Sequence, residues 1–166
     1  AGGEALDSRE AAKALIDQGA DIITQHTDSP APLQVAQNRG VKGFGQAADM
    51  THFAPKAQLS AIINDWNPYY LERVRAVING TWKSQNVWQG LKEGMVQMAP
   101  YKNMPADVAK LAMETEEAIR SGKLHPFAGP IKDQSGKEVV PAGKIAEAGM
   151  LLSMNFYVEG IEGSLP

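Results

Sequence analysis

The chain has 166 residues, of which 43% are apolar and 21% charged, and its net charge is −3. These values are typical of a globular domain, or of one lobe of a larger protein. Its sixteen basic residues are scattered, which argues against a nucleic-acid-binding surface. No run approaches the roughly 18 apolar residues of a membrane span, and the absence of cysteine excludes disulfides and thiol nucleophiles.

The first helix is predicted between Asp7 and Gly19. Asp7 and Glu10 have the spacing of a capping box, and Gly19 suits the left-handed conformation that ends a helix. Strand-like and helix-like segments then alternate. We expect, in chain order, a strand over 22–26, a helix that Ser29 caps and Gly40 ends, and strands over 41–45 and 57–63. This order is typical of a parallel α/β sheet.

A third helix is predicted from Asn67 to Gly80, and its apolar stripe consists of Tyr70, Val74, Val77 and Ile78. Beyond it the sequence predicts two short strands, a further helix, a turn and a helical tail. These segments are strands over 88–91 and 95–98, a helix from Pro105 to Gly122 with Val108, Leu111, Ala112, Thr115 and Ile119 facing inward, a turn over 133–136, and a helix over 145–154.

Polar clusters follow each of the first three predicted strands, at residues 25–28, 46–49 and 64–66. The carboxyl ends of parallel strands meet at one edge of a sheet, where ligands collect. The alternative interpretation is that any single one of these polar residues simply belongs to an ordinary surface loop. Three clusters at three strand ends favour a binding site.

Residues 43–48, Gly-Phe-Gly-Gln-Ala-Ala, fit a dinucleotide-binding fingerprint after a strand. That motif requires a helix directly afterwards, and the seven residues before and including Pro55 are too short for one. A nicotinamide-dependent, Rossmann-type oxidoreductase is therefore the alternative function. A regular helix from Ala47 onward would favour it.

The sequence offers no catalytic or metal-binding group to assign. The histidines, His26, His52 and His125, are far apart, whereas zinc ligands usually include a close pair. No G-x-S-x-G nucleophile elbow occurs, and no carboxylates form an evident acid–base pair. We therefore expect a protein that is not an enzyme and that needs no cofactor.

Five aromatic residues cluster between positions 66 and 88. We expect Trp82 and Trp88 to pack in the core, whereas Trp66 follows a strand that ends at the ligand edge. A flat ring beside amide and carboxylate groups suits a planar heterocycle. Asn and Gln side chains both donate and accept hydrogen bonds, which matches the edge of a purine.

Six segments carry a recognisable sequence pattern: residues 19–32 (GADIITQHTDSPAP), 64–70 (NDWNPYY), 79–82 (NGTW), 90–96 (GLKEGMV), 125–133 (HPFAGPIKD) and 157–160 (YVEG). Together they resemble the basic membrane lipoprotein family of solute-binding proteins. The resemblance covers nearly the whole chain. It implies a type I periplasmic-binding-protein fold, with a Rossmann-like parallel sheet flanked by helices, in two lobes that close around a purine nucleoside or related heterocycle.

The same resemblance implies that residues 1–166 are a single partial domain, the carboxy-terminal second lobe with crossover elements. It further implies an extracytoplasmic or periplasmic protein, anchored as a lipoprotein in its full-length form, that serves the permease of an ABC importer. A ligand-sensing domain of a signalling protein is a second alternative, because it can use the same fold.

The resemblance also indicates the ligand. Nucleoside-binding members carry an aspartate and a lysine where this chain has Ala47 and Asn64, and the sequence QHTDSP resembles members that bind a free base, adenine in particular. We therefore expect an adenine-like base. The predicted ligand-binding residues are His26, Thr27, Asp28, Gln46, Asn64 and Trp66.

Family members have an amino-terminal lobe and a first strand that precede the position of Ala1. Residues 67–82 are expected to pack on that lobe. Burial of four or five stripe residues, which include Tyr70, Val74, Val77 and Ile78, would contribute roughly 6–15 kcal/mol. We therefore expect this stripe to be covered by a second copy of the chain, a swapped element or an amino-terminal-lobe fragment.

Overall fold

The computed structural model describes residues 2–165, and for residues 2–5 it describes the backbone alone. The chain forms two compact units, of which the first ends at Arg120 and the second begins at Ser121. None of the described helices has the length and apolar character that crossing a membrane requires. The elements of the first unit are α1 (Gly2–Asp17), β1 (Ile22–Ile23), α2 (Ala31–Asn38), β2 (Lys42–Gly45), β3 (Gln58–Asn64), α3 (Asn67–Ile78), β4 (Val96–Met98) and α4 (Ala106–Arg120).

The first unit contains a four-stranded sheet in the order β1-β2-β3-β4. Strands β1, β2 and β3 run parallel, with Ile23 beside Gly43 and Gly45 beside Ala61. Strand β4 runs antiparallel to β3, with Asn64 beside Val96. The parallel strands and their intervening helix confirm the predicted α/β fold class. Strand β4 confirms the strand predicted over 95–98, but its antiparallel direction was not predicted.

The core of the first unit lies between helices α1 and α2 and the sheet. Leu33 and Ala36 of α2 are fully buried, and Ile23 of β1 packs with them. Gly43 makes this close packing possible, because a Cβ atom there would lie 2.8 Å from both the Ile23 carbonyl oxygen and the Leu33 Cδ2 atom. The absence of a side chain at Gly43 therefore lets α2 approach the sheet closely.

Glycines end α1 and α2 as predicted, with Gly19 at φ 103° and Gly40 at φ 74°. The Ser29 hydroxyl also accepts a hydrogen bond from the Ala31 backbone N–H, at 3.2 Å, at the start of α2. The predicted capping box is wrong, because α1 begins at Gly2 and Asp7 lies inside the helix. Good helix formers upstream of Asp7 extend the helix past that local signal.

The segment after α3 differs most from its prediction. Residues 81–90 form no helix or strand, so the strand predicted over 88–91 is wrong. Strand β3 is already paired with β2 and β4, which leaves no free edge there for a further strand. Trp82 and Trp88 are 53% and 63% exposed, so the expectation that they pack in the core is also wrong.

Helix α4 confirms the predicted helix, but its apolar face does not point inward. Val108 is 46% and Leu111 63% exposed. Polar contacts attach its carboxy-terminal half: the Tyr101 hydroxyl donates to Glu116 Oε2 at 3.1 Å, and Arg120 Nη1 donates to the Leu91 carbonyl at 3.2 Å. The apolar face lines an open groove of about 400 Å³ whose walls are Leu91, Met98, Tyr101, Val108, Leu111, Ala112, Thr115, Glu116 and Ile119.

The second unit contains the antiparallel pair β5 (Ile131–Lys132) and β6 (Glu138–Val140), followed by α5 (Ala148–Leu152). Asp133 Oδ1 accepts hydrogen bonds from the Ser135 hydroxyl and N–H and from the Lys137 N–H, which confirms the predicted turn. The Ser135 hydroxyl contributes most to holding the pKa of Asp133 below its usual range. The helical tail is shorter than predicted, because Ile145 forms a bridge with Ala128 instead.

Candidate ligand-binding site

Three parallel strands end at the same edge of the sheet. Strand β1 ends at Ile23, β2 at Gly45 and β3 at Asn64, and the three are neighbours. The chain leaves each strand in a loop that carries polar residues, at 24–29, 46–57 and 65–66. This edge is where ligands bind in parallel α/β sheets.

All six predicted site residues lie at this edge. The loop after β1 carries three of them, the residue after β2 is the fourth, and the end of β3 and the start of α3 carry the last two. In that order they are His26 and Asp28, both exposed, with Thr27 half-buried between them; Gln46, half-buried; Asn64, exposed; and Trp66, 47% exposed.

Most of the polar side chains among these residues have unused hydrogen-bonding groups. Within the part of the chain that the structure describes, the side chains of His26, Asp28, Gln46 and Asn64 make no hydrogen bond. The Thr27 hydroxyl donates only a long bond, of 3.4 Å, to the Ser29 carbonyl. The edge therefore presents a carboxylate, two amides and an imidazole to a ligand.

Trp66 belongs to an aromatic cluster at the start of α3. Its ring lies 6.0 Å from Tyr69 in an edge-to-face arrangement and 5.8 Å from Tyr70 at an interplanar angle of 31°. The Arg73 guanidinium lies 5.5 Å from the centre of the Tyr69 ring. These neighbours support Trp66 while leaving nearly half of it exposed, so it offers a flat apolar surface at the edge.

Ala47 has a backbone conformation that residues with a side chain rarely adopt, with φ at 64°. The left-handed region costs such a residue about 1–2 kcal/mol. The Ala47 carbonyl accepts a hydrogen bond from the Asn64 N–H at 3.1 Å, which joins the loop after β2 to the end of β3. Strained residues that the surrounding structure holds in place are concentrated at functional sites.

Asp65, between two predicted site residues, has a structural role. Its Oδ1 accepts a hydrogen bond from the Asn67 N–H at 3.1 Å, at the start of α3, and its Oδ2 accepts one from Gln97 Nε2 at 3.0 Å. The Asp65 N–H donates to the Met95 carbonyl at 2.9 Å. These contacts fix the backbone between Asn64 and Trp66.

The sequence interpretation missed the polar residues behind the edge. Gln58 is only 1% exposed, and its amide bonds to Asp49, Met50 and Thr51. The Thr51 hydroxyl contributes most to lowering the pKa of Asp49, against an opposing effect of burial. The available signal was a glutamine at the start of a strand whose first four residues are buried.

Gln25 belongs to the predicted polar cluster 25–28 but was not among the predicted ligand-binding residues. Its side-chain Oε1 is buried and accepts no hydrogen bond from the described residues. Its Nε2 donates to the Ser29 carbonyl at 3.0 Å and contacts Met50 Sδ at 3.4 Å. An unpaired buried acceptor costs about 1–3 kcal/mol, so this oxygen is an unsatisfied group directly behind the loop that carries His26.

The structure lacks the features that the alternative site types require. Residues 46–57 form turns and bends, so no helix follows β2 to receive a pyrophosphate at its amino terminus. Among the described residues, no group of three or more His, Asp or Glu side chains could hold a metal ion. The predicted discriminator for dinucleotide binding, a helix from Ala47 onward, is therefore absent from this part of the chain.

The family described as ABC transporter substrate-binding protein, PnrA-like, matches residues 4–133 of the chain. The chain belongs to this family. Membership confirms the resemblance to the basic membrane lipoprotein family, which comprises extracytoplasmic solute-binding proteins and not enzymes.

Two curated relatives cover nearly all of the chain. A protein of Brucella abortus named as purine-binding is 62% identical over 157 residues, which are 95% of this chain and 45% of that protein. A Haloferax volcanii protein named as an ABC transporter glucose-binding protein is 31% identical over 160 residues, 96% of this chain and 38% of that protein. The chain thus spans less than half the length of either relative.

Two solved structures show the same fold at low sequence identity. A transcriptional activator of the comK gene from Bacillus halodurans matches 74% of this chain and 44% of its own, with a TM-score of 0.64 and 13% identity. A solute-binding protein of an ABC transporter system from Conexibacter woesei matches 70% of this chain and 40% of its own, with a TM-score of 0.53 and 21% identity. At these identities the likeness concerns the fold alone.

Proposed function

We propose that this chain is the carboxy-terminal lobe of a two-lobed solute-binding protein that delivers a purine-like base to the permease of an ABC importer. The observation that carries the proposal is the edge of the parallel sheet, where polar side chains without hydrogen-bond partners among the described residues lie beside a half-exposed tryptophan. Family membership and the purine-binding name of the 62% identical relative support it. No bond of the ligand is made or broken, so the chain needs no catalytic residue.

Each residue at the edge has a proposed role. Trp66 stacks on the face of the base, an interaction that contributes about 0.5–1.5 kcal/mol beyond burial. Gln46 and Asn64 bind the edge of the ring, because each amide can both donate and accept. Asp28 accepts a ring or exocyclic N–H, and His26 and Thr27 complete the loop beside it.

The preference for a free base over a nucleoside rests on Ala47 and Asn64. These residues replace the aspartate and the lysine that the family resemblance assigns to ribose binding, so the chain has neither charge at those positions. Adenine offers both ring nitrogens and an exocyclic amine to the carboxylate and amides at the edge. We therefore infer that adenine binds more tightly than adenosine.

A sugar is the second candidate ligand, because the 31% identical relative carries a glucose-binding name. An aromatic ring beside carboxylate and amide groups can pack on a sugar as well as on a base, so Trp66 does not separate the two ligands. The twofold higher identity to the purine-binding relative favours the base.

The exposed face of α3 supports the proposal of a second lobe. Tyr70, Val74, Val77 and Ile78 are between 58% and 77% exposed. We propose that an amino-terminal lobe, or a second copy in its absence, covers this face, and that the whole protein is anchored outside the cytoplasm as a lipoprotein. Size-exclusion chromatography of the chain tests this: we expect an assembly larger than a monomer, and a well-behaved monomer would contradict it.

Calorimetry with adenine, adenosine, guanosine and glucose tests the ligand. We would measure binding to the chain itself and to the chain joined to the amino-terminal half of the Brucella abortus relative. We expect adenine to bind the joined protein most tightly and the chain alone weakly, since closure of two lobes normally buries most of a small ligand. Tight binding of glucose with no binding of any purine would overturn the proposal.

Two tryptophans provide a matched pair of variants for that experiment. Trp66 and Trp82 are similarly exposed, at 47% and 53%, but only Trp66 follows the strand end at the edge. Trp66→Leu should weaken adenine binding by about 0.5–1.5 kcal/mol, and Trp82→Leu should leave it unchanged. Equal effects of the two substitutions would contradict the stacking role.

The double variant Ala47→Asp with Asn64→Lys tests the base preference. Aspartate adopts a positive φ more readily than alanine, so the loop should keep its conformation. We expect the affinity for adenosine to rise relative to that for adenine, because the two charges restore the groups that the family resemblance assigns to ribose. An unchanged ratio of the two affinities would count against this assignment.

A further inference from the structure

A single buried side chain fixes the loop after β2. Gln58, on β3, is 1% exposed, and its Oε1 accepts a hydrogen bond from the Met50 N–H at 3.1 Å. Its Nε2 donates to Asp49 Oδ1 at 2.7 Å and to Thr51 Oγ1 at 2.8 Å. One amide thus bonds three consecutive residues of the loop that begins with Gln46.

The same chain of contacts reaches the loop after β1. Met50 is 6% exposed, and its Sδ atom lies 3.4 Å from Gln25 Nε2. That Nε2 also donates to the Ser29 carbonyl at 3.0 Å, at the far end of the loop that carries His26, Thr27 and Asp28. Gln58 is therefore connected, through Met50 and Gln25, to both loops of the candidate site.

Gln58 is itself held firmly. Its backbone carbonyl accepts a hydrogen bond from Asn103 Nδ2 at 2.7 Å, and its N–H donates to the Ala54 carbonyl at 3.0 Å. Its side chain also packs tightly on the last residue of β2, because a Cβ atom at Gly45 would lie 2.9 Å from Gln58 Oε1. The amide is thus held firmly against Gly45, the residue that precedes Gln46.

We propose that Gln58 is a positioning residue of the ligand-binding site: it sets the conformation of both loops that present His26, Thr27, Asp28 and Gln46, without touching the ligand itself. For the ligand this inference rests on the proposed function. Its distinctive requirement is a donor amide, because Nε2 faces the Asp49 carboxylate. A residue that merely fills space would not need that donor.

Gln58→Glu in the 166-residue chain tests the requirement, since it keeps the shape and replaces the donor with an acceptor. We expect the loop to open, with amide hydrogen exchange at Met50 and Thr51 faster by roughly ten-fold or more at mildly alkaline pH. Adding Asp49→Asn returns a donor to the pair and should restore slow exchange. Lowering the pH should also slow exchange in Gln58→Glu by more than the intrinsic slowing measured in Ser60→Ala, because the introduced carboxyl group can donate to Asp49 once it is protonated.

Ser60→Ala is the matched control. Ser60 lies on the same strand, is fully buried, and donates to the Ala99 carbonyl at 2.7 Å, on the side of β4. We expect this variant to lose overall stability while the exchange of Met50 and Thr51 stays slow. Adenine titrated into the chain, followed by the amide signals of residues 46–51, should bind several-fold more weakly to Gln58→Glu than to Ser60→Ala.

Three results would overturn the inference: equal exchange at Met50 and Thr51 in Gln58→Glu and Ser60→Ala, no restoration by Asp49→Asn, or equal adenine affinity in Gln58→Glu and Ser60→Ala. If the unmutated chain and its joined form bind no adenine, the proposed ligand fails. The exchange measurements then decide the role of Gln58 by themselves.

Discussion

The first unit contains two regions that differ in how their helices use apolar residues. In the packed region, residues 6–64, helix α2 buries Leu33, Val35 and Ala36 against the parallel strands. In the outer region, residues 65–120, helices α3 and α4 bury none of their described residues. Both regions carry amphipathic helices, so amphipathic character alone does not tell which helices pack on their own sheet.

The difference lies in what each apolar face can reach. Helix α2 connects two neighbouring parallel strands, so both of its ends are held close to the sheet. Gly43 leaves room for its close approach. The chain leaves the sheet at Trp66 to form α3, and α3 is followed by 17 residues, 79–95, without helix or strand. Its apolar face therefore has no surface of the packed region to contact, which is consistent with the proposed second lobe.

The largest expected contrast compares one buried and one exposed aliphatic residue. Leu33→Ala should cost about 2–5 kcal/mol of unfolding free energy, because Leu33 is fully buried. Val74→Ala should change it by no more than about 0.5 kcal/mol in the dissociated monomer, because Val74 is 58% exposed. Urea unfolding of both variants, diluted below the concentration at which the chain assembles, measures the difference. A cost for Val74→Ala close to that for Leu33→Ala under these conditions would break the comparison, whereas a cost that appears only at higher concentration would indicate that the assembly covers the α3 face.

A contrast between two glycines should be smaller. Gly43→Ala places a Cβ atom 2.8 Å from the Ile23 carbonyl oxygen and should cost about 1–3 kcal/mol. Gly90→Ala, in the outer region, meets nothing within 4 Å and should be nearly neutral. Thermal unfolding followed by circular dichroism checks both. A neutral Gly43→Ala would mean that α2 does not press on the sheet as closely as the structure indicates.

Ala47→Gly sharpens the comparison at the edge of the packed region. Glycine accepts the φ of 64° without the penalty that alanine carries, so we expect stabilisation by about 1 kcal/mol. Ala48→Gly is the control, since Ala48 has no positive φ and glycine there should only destabilise. Denaturant midpoints measure both. A destabilising Ala47→Gly would show that the loop does not hold the strained conformation.

The smallest expected effect concerns how α4 is attached. Burial, with the hydrogen bond and charge of Glu116, raises the pKa of Tyr101 to about 12. A raised pKa means that the contribution of Tyr101 is complete below its usual pKa near 10 and is lost as the pH rises from 10 through 12. Ultraviolet absorbance of tyrosinate should show a late step that Tyr101→Phe removes. If Tyr101→Phe instead removes a step near pH 10, the hydroxyl of Tyr101 is not buried and bonded to Glu116.

Local signals predicted much of the packed region. Glycines and prolines mark the ends of α2, and β2 and β3 lie within about one residue of their predicted ranges, because single residues determine where turns form. The outer region was less predictable. The stripe of α4 has the same spacing as a core-facing stripe, and nothing in that spacing tells an inward face from the wall of an open groove.

The part of the candidate site that lies directly at the strand ends could be predicted from the sequence. Gln46, Asn64 and Trp66 follow from the parallel order of the strands. The amide of Gln58 does not, because its partners Asp49 and Thr51 come together only through the turn that Ala47 makes at positive φ. Residue type gives no warning there, since alanine is an unusual choice for that conformation.

The antiparallel pairing of β3 and β4 has a topological consequence. Because Asn64 lies beside Val96, and the Asp65 N–H bonds to the Met95 carbonyl, the chain departs from the sheet and returns to it at one point. Residues 66–94 therefore form an insertion between two paired strands, and both ends of the insertion meet at one point of the sheet, beside the ligand edge. We expect such an insertion to tolerate changes in length or sequence while β3 and β4 stay in register.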